Sequence, residues 1–260
     1  MDDMADFPAQ TFIQFCLNHG LLQINGRPQW KSIRGGSRVY VRRLCQDIEA
    51  NGGRVLLNTP VLSVTRHVDG VRIETSKGVE VLDQVIMACH TDQSLALLSD
   101  AHPQELAVLA AVRYQPNTAY LHTDERLMPV RKKAWSAWNY YAGAVQNGKF
   151  PVAVTYWLNR LQPLPFDRAV MVTLNPPEPP RTNDTIAVIN YAHPLLDTAA
   201  YQAQQALPSI QGLDRVYFAG AWAGYGFHED GLKSGLAVAN LLGVFAPWQV
   251  AQGSKQEQSA

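Results

Sequence analysis

Cysteine is scarce in this sequence. The 260 residues include three, Cys16, Cys45 and Cys89, and none forms a CxxC pair. That excludes a disulfide framework and a thiolate zinc site, and buried thiols are expected instead. No His, Asp or Glu group has the spacing of a metal site, and no GxSxG nucleophile elbow occurs. Charge of one sign is not in excess, since 22 Lys and Arg stand against 22 Asp and Glu. A nucleic-acid partner is therefore not expected. The basic clusters Arg42-Arg43 and Arg131-Lys132-Lys133 are read as solvated faces. No apolar run approaches the ~20 residues of a membrane-spanning helix. The opening MDDMADFPAQ is acidic and unlike a signal peptide. A cytoplasmic chain is expected, with peripheral membrane contact left open.

Apolar residues are plentiful at 47%, enough for a core of one large domain or two lobes. Phe12, Ile13, Phe15 and Cys16 recur at helical spacing and predict a helix over 8–19. Turn chemistry follows at Asn25–Trp30. A second helix is predicted after Gly35-Gly36, with Val39, Tyr40, Leu44 and Ile48 on its buried side and Asn51-Gly52-Gly53 at its end. The period then shortens. Arg54–Leu57, Val61–His67, Val71–Thr75 and Val79–Leu82 read as strands, with hairpin turns at Asp69-Gly70 and Lys77-Gly78. Asp83–Cys89 reads as a strand buried on both faces. Helices are predicted at 91–98, 103–112 and 197–206, and strands at 117–122, 134–141, 151–157, 169–174 and 185–191. The proline-rich 175–180 connector cannot be a central strand.

The last third carries the chemistry. Arg215–Ala219 reads as a strand, Gly220–Gly226 as a glycine-rich turn, and 231–242 as a helix with Asp230 at its N-cap. Glycines let the backbone turn tightly and approach a ligand, and a helix start offers free N–H groups and a positive dipole end. Gly231, Gly235 and Ala239 give that helix a smooth face at four-residue spacing. An ordinary βα turn has the same outline.

The wording of this segment, Val216–Trp222 continuing through Gly226-Phe227-His228-Glu229-Asp230-Gly231-Leu232-Lys233-Ser234-Gly235, resembles the C-terminal flavin motif of the FAD-dependent amine-oxidase and phytoene-desaturase superfamily. Its GFHEDG form is similar to a bacterial branch of NAD/FAD-binding proteins associated with cyclopropane-fatty-acid synthases. Trp30–Tyr40 resembles the family's W…GG…Y entry to a helix, and Asn58–Val64 the stretch whose valine backbone meets adenine. The resemblance covers roughly residues 8–245. It implies FAD as cofactor, with contacts from Val61, Gly220, Ala221, Trp222, Asp230, Gly231 and the Leu232 backbone. Ala221 and Trp222 stand where the usual amine-oxidase pattern has a glutamate. The family's opening GxGxxG, which cradles the pyrophosphate, is absent from these 260 residues.

The implied fold is mixed α/β. An incomplete FAD/NAD(P)-binding Rossmann-like domain is expected at 30–92 and 208–245. An inserted antiparallel-sheet substrate domain is expected at 8–29 and 93–207, and a disordered tail at 246–260. The implied activity is removal of a hydride from a C–H bond of a small or lipid-like substrate. The alternative is a non-catalytic fragment, or a half-protein needing a separate nucleotide-binding segment and prone to self-association through an exposed sheet edge. His228 and Glu229 are the candidate catalytic side chains, set against the more ordinary reading of positioned loop residues. His122 and Asp124 fit a proton relay and, equally, the alternation of a strand edge. Trp135, Trp138, Tyr140, Tyr156 and Trp157 fit an apolar tunnel or core.

Overall fold

The computed structural model describes residues 9–18, 20, 22–26, 31–142 and 152–249. Trp30 and most of the predicted tail lie outside the described residues, while 247–249 form a helical turn. The chain divides into two compact units. One comprises Gln23–Leu56 and Gln115–His193. The other comprises Met4–Leu22, Leu57–Tyr114 and Pro194–Ala260. The class is mixed α and β with antiparallel sheets, as expected.

In the second unit the period-two runs form a three-stranded antiparallel sheet, β1 (Val61–His67), β2 (Gly70–Thr75) and β3 (Gly78–Leu82). Gly70 has φ 157°, and a Cβ there would lie 2.4 Å from the Leu82 carbonyl oxygen. Only glycine fits that turn. The predicted strand at Arg54–Leu57 does not form: 54–57 run irregularly, and Leu57 is 74% exposed. Four residues without a pairing partner cannot hold an extended conformation.

Two three-residue strands, β4 (Val85–Met87) and β10 (Val216–Phe218), pair in parallel. Val85 and Met87 point into the core, whereas Ile86 is 46% exposed. The expectation of burial on both faces is thus corrected: one face of this strand is open. Helices α3 (Thr91–Leu97), α4 (Pro103–Ala110) and α6 (Thr198–Ala206) help build the core around Leu109, Ile210, Val216 and Phe218. Glu105 is fully buried there. Arg66 donates to it, and the Arg66 guanidinium also meets Asp100 at 3.1 Å. Neither charge would be tolerated in that place alone.

In the first unit, α2 (Arg38–Ala50) forms where predicted, but none of its residues is buried. Val39, Tyr40, Leu44 and Ile48 are all exposed, which corrects the predicted buried side. The amphipathic pattern exists without a surface to cover it. The unit's core is a five-stranded sheet in the order β6 (Trp138–Ala142), β7 (Val152–Trp157), β8 (Met171–Leu174), β5 (Tyr114–His122) and β9 (Thr185–Pro194). The proline-rich connector lies outside every strand, as its missing N–H donors require.

Candidate functional site

The β10–turn–α7 segment, with α7 spanning His228–Leu241, contains most of the predicted site residues. It lies wholly in the second unit. Side-chain amides and one hydroxyl satisfy its backbone. Gln211 pairs with Phe218 as a neighbouring strand would: its Oε1 accepts from the Phe218 N–H at 2.8 Å and its Nε2 donates to the Phe218 carbonyl at 2.7 Å. Gln204 Nε2 donates to the carbonyls of Trp222 and Gly224, at 2.9 and 2.8 Å. Ser234 Oγ accepts from the Gly220 N–H at 2.9 Å and donates to the Gly231 carbonyl at 2.8 Å. Each bond satisfies a backbone group that the tight turn would otherwise strand.

The turn itself is a tight 3₁₀ segment, Ala221–Ala223. Trp222 is buried, and its Nε1 is buried without a partner. A Cβ on Gly220 would sit 2.6 Å from Trp222 Cδ1, so the indole lies directly on the glycine. A Cβ on Gly224 would sit 2.6 Å from Asp230 Oδ1. The glycines thus serve the packing of the segment's own side chains.

Asp230 is not the N-cap. Phe227 takes that position with extended backbone, and Asp230 occupies the third helical position. From there its Oδ2 accepts from the Phe227 N–H at 3.0 Å. The helix starts three residues before the expected Gly231 because this reach-back bond closes its first turn. Gly231 faces Ala221, where a Cβ would meet ordinary van der Waals contact at 3.8 Å, and Gly235 has nothing within 4 Å. The smooth helical face is present but only its first glycine is packed. Leu232 is half exposed, His228 and Glu229 are exposed, and Glu229 Oε1 lies 3.8 Å from Lys233 Nζ. Val61 is the first residue of β1 and is exposed.

An open cleft of about 260 Å³ borders this segment, lined by Leu207, Gln211, Gly224, Asp230, Lys233 and Ser234 among others. Gln204, Gln211 and Ser234 were not among the predicted site residues. Ser234 had a legible signal, a small polar residue three positions after a glycine in a helix. The two glutamines had none, because their partners lie up to 20 residues away.

His122 and Asp124 belong to the other unit. His122 is buried between β8 and β9, not at a strand edge. Its Nδ1 accepts from the Asp124 backbone N–H at 3.1 Å, so the proton sits on Nε2, which donates to Thr173 Oγ1 at 2.7 Å. Thr173 then donates to Thr155 Oγ1 at 2.8 Å, and Thr155 to the Leu127 carbonyl. Every hydroxyl proton in this row is used. Burial pushes the His122 pKa down. Asp124 is clamped by Arg126, which holds its carboxyl well below the usual carboxylate range. The Asp124 carboxylate makes no hydrogen bond to the His122 ring, so the expected relay between the two side chains is absent. Among the aromatics, Trp135 and Trp157 stack edge-on at 5.2 Å, whereas Tyr140 is 64% exposed. No group of metal-ligating side chains occurs among the described residues.

The donor set suits one part of a flavin nucleotide better than another. A carboxylate in the first turn of α7 accepts from hydroxyls and opposes phosphate. The bound backbone of the turn lets a flat group approach, since glycines 226 and 235 carry no side chain into open space. The residues therefore fit the sugar-alcohol and ring portion, and among the described residues no glycine-rich phosphate cradle accompanies them.

A family model described as flavin containing amine oxidoreductase matches residues 10–154. No curated protein matches. Among solved structures, a CLA-producing fatty acid isomerase from P. acnes is similar at TM-score 0.55 and 13% identity, over 79% of this chain and 51% of that one. A protein described as a protoporphyrinogen oxidase from Exiguobacterium sp. 255-15 is similar at 0.53 and 16%, over 90% and 57%. Cyclohexylamine oxidase from Brevibacterium oxydans IH-35A is similar at 0.51 and 14%, over 80% and 53%. The chain spans about half the length of these structures. At such identities the likeness is one of fold.

Proposed function

The chain belongs to the flavin containing amine oxidoreductase family, and from that membership we propose that it supplies one side of an FAD-dependent oxidoreductase site. The reaction is removal of a hydride from a C–H bond of a small or lipid-like substrate, a lipid acyl chain being the preferred class. The observation that supports this most is the β10–turn–α7 segment, whose backbone is held by Gln204, Gln211 and Ser234 beside an open cleft. Bound there, the flavin supplies the two-electron acceptor. The chain's own part is to position it. Asp230 orients hydroxyls, the turn at 220–222 meets the ring end, and Val61 meets the adenine. Hydride removal needs no dedicated side-chain base, which suits the exposed, unengaged ring of His228. A cytoplasmic setting and the branch associated with cyclopropane-fatty-acid synthases belong to the same reading. The test is reconstitution of the purified chain with FAD. A bound flavin spectrum that is weakened in Asp230→Ala supports the reading, and no uptake by the wild-type chain refutes it for this chain.

A second reading is favoured by a separate observation. Among the described residues no strand pairs with the outer edge of β4, whereas the outer edge of β10 is capped by Gln211. Ile86, on the same strand, is also open. These surfaces suit a nucleotide-binding segment that adds strands to the parallel pair and carries the missing phosphate cradle. On this reading the chain is one part of the catalytic unit, and alone it self-associates through the β4 edge. A monodisperse monomer in sedimentation velocity counts against it.

A further inference from the structure

One end of the five-stranded sheet gathers apolar and basic loop residues. The C-terminal end of β5, the start of β6, the end of β7 and the starts of β8 and β9 all lie there. The ladder fixes this: His122 and Trp157 both pair with Met171, and Trp138 pairs with Tyr156. The loops 123–137 and 158–170 therefore project from the same end. Arg168 Nη2 ties the two together by donating to Thr123 Oγ1 at 2.6 Å, and Thr155 Oγ1 of β7 holds the first loop by donating to the Leu127 carbonyl at 3.3 Å.

Side-chain bonds brace both loops, and both present apolar side chains to water. In the first, Trp135 Nε1 donates to the Pro129 carbonyl at 2.7 Å, and Lys132 Nζ lies 5.2 Å from the Trp135 ring centroid. Val130, beside that anchor, is 101% exposed. In the second, Asn159 closes the base of the loop by bonding to Arg168 and Val170. Leu161 and Phe166 are exposed on it. Val130 is thus wholly exposed on an anchored loop, with Leu161 and Phe166 exposed on the second loop at the same end of the sheet.

The charges between these tips are lopsided. Asp124, Glu125 and Asp184 are engaged by Arg126, Lys132 and Arg168. Arg131, Lys133, Arg160 and Arg181 are exposed, and no acidic partner reaches their side chains. Among the described residues of these loops, Asp167 and Glu178 stand against them. In a chain with 22 charges of each sign, this end carries a local excess of unpaired cations.

We propose that this end of the sheet is a docking surface for an anionic lipid bilayer. Unpaired guanidinium and ammonium groups meet lipid phosphate and carboxylate at the surface, while Val130, Leu161 and Phe166 enter the boundary between headgroups and acyl chains. A nucleic-acid backbone satisfies the cations but leaves the aliphatic tips in water. An acidic protein does not require tips set among the charges. No helix among the described residues is long and apolar enough to cross a membrane, so contact of this kind is peripheral. The proposal is independent of flavin binding, because all its residues lie in the first unit.

The experiment is co-sedimentation of the purified chain with vesicles. One set is phosphatidylcholine alone, and the other contains phosphatidylcholine and phosphatidylserine at about three to one. The expected result is binding to the second set only, weakening as salt rises. Arg131→Ala with Lys133→Ala lowers the partition coefficient about five-fold per charge removed, and Val130→Asp abolishes binding. Lys77→Ala, in the other unit, leaves it unchanged. All these residues are exposed, and far-UV circular dichroism confirms that the variants are folded. No binding, equal binding to neutral vesicles, or binding indifferent to Val130→Asp overturns the proposal. So does equal competition by single-stranded DNA or polyglutamate, which would mark a merely electrostatic surface.

Discussion

Two polar networks, one in each unit, are built from the same materials and differ in what they leave open. Around the β10–turn–α7 segment, Gln204, Gln211 and Ser234 bond to backbone groups. Their work fixes a turn beside an open cleft. In the five-stranded sheet, His122, Thr173 and Thr155 bond to one another and end on a backbone carbonyl, all buried. That row has no outlet and nothing left to donate. A buried histidine beside an aspartate is thus a structural feature here, and unremarkable amides frame the site. Polarity alone does not mark function; the geometry left unsatisfied does.

The largest blow to the first network is Gln211→Leu. It strands the N–H and carbonyl of Phe218, each at about 1–3 kcal/mol, and denaturant unfolding should show a loss at the upper end of that sum. The second network should break more gently. Thr173→Val keeps the shape but removes a partner from both His122 and Thr155, with an expected loss of about 1–3 kcal/mol. If the valine variant proves the more destabilising, the ranking of the two networks is wrong. Gly224→Ala follows. Its new methyl collides with the Asp230 carboxylate and costs about 1–2 kcal/mol through overpacking. FAD uptake should fall with it, whereas Thr173→Val should leave uptake unchanged.

The smallest effect is a matter of pH. Burial lowers the His122 pKa in the folded state, so folding favours the neutral ring. Its contribution is complete above the unfolded value of about 6.5 and is lost as pH falls through the folded value. Protonation would place a second N–H against the Asp124 N–H and cancel that bond. Asp124, held low by Arg126, loses its contribution only in stronger acid, below the usual carboxylate range near pH 4. His122→Gln should therefore flatten the stability profile just below pH 6.5 and leave the steep loss at lower pH. An unaltered slope in that window would show that the ring does not stay neutral through folding.

Much of this was legible in the residues. Period-two runs and glycine turns located β1 to β3, and the Val216–Phe218 strand and the helix after it were readable from their apolar pattern and flanking glycines. The boundary at His228 was not, because a reach-back bond from Asp230 outweighs the glycine that reads as a helix start. The open side of α2 was not legible either: amphipathicity records that a helix has a face to cover, not whether a cover is present.

By itself the sequence determined the periodicities, the glycine turn and the family resemblance, because each is a local pattern of neighbouring residues. Tertiary structure decided the rest. It showed that Gln204 and Gln211 frame the turn and that His122 is sealed, and it brought Val130, Leu161 and Phe166 to one end of a sheet with unpaired cations. These depend on contacts between residues far apart in the chain, and hydrophobic pattern carries no record of such contacts until the strands choose their neighbours.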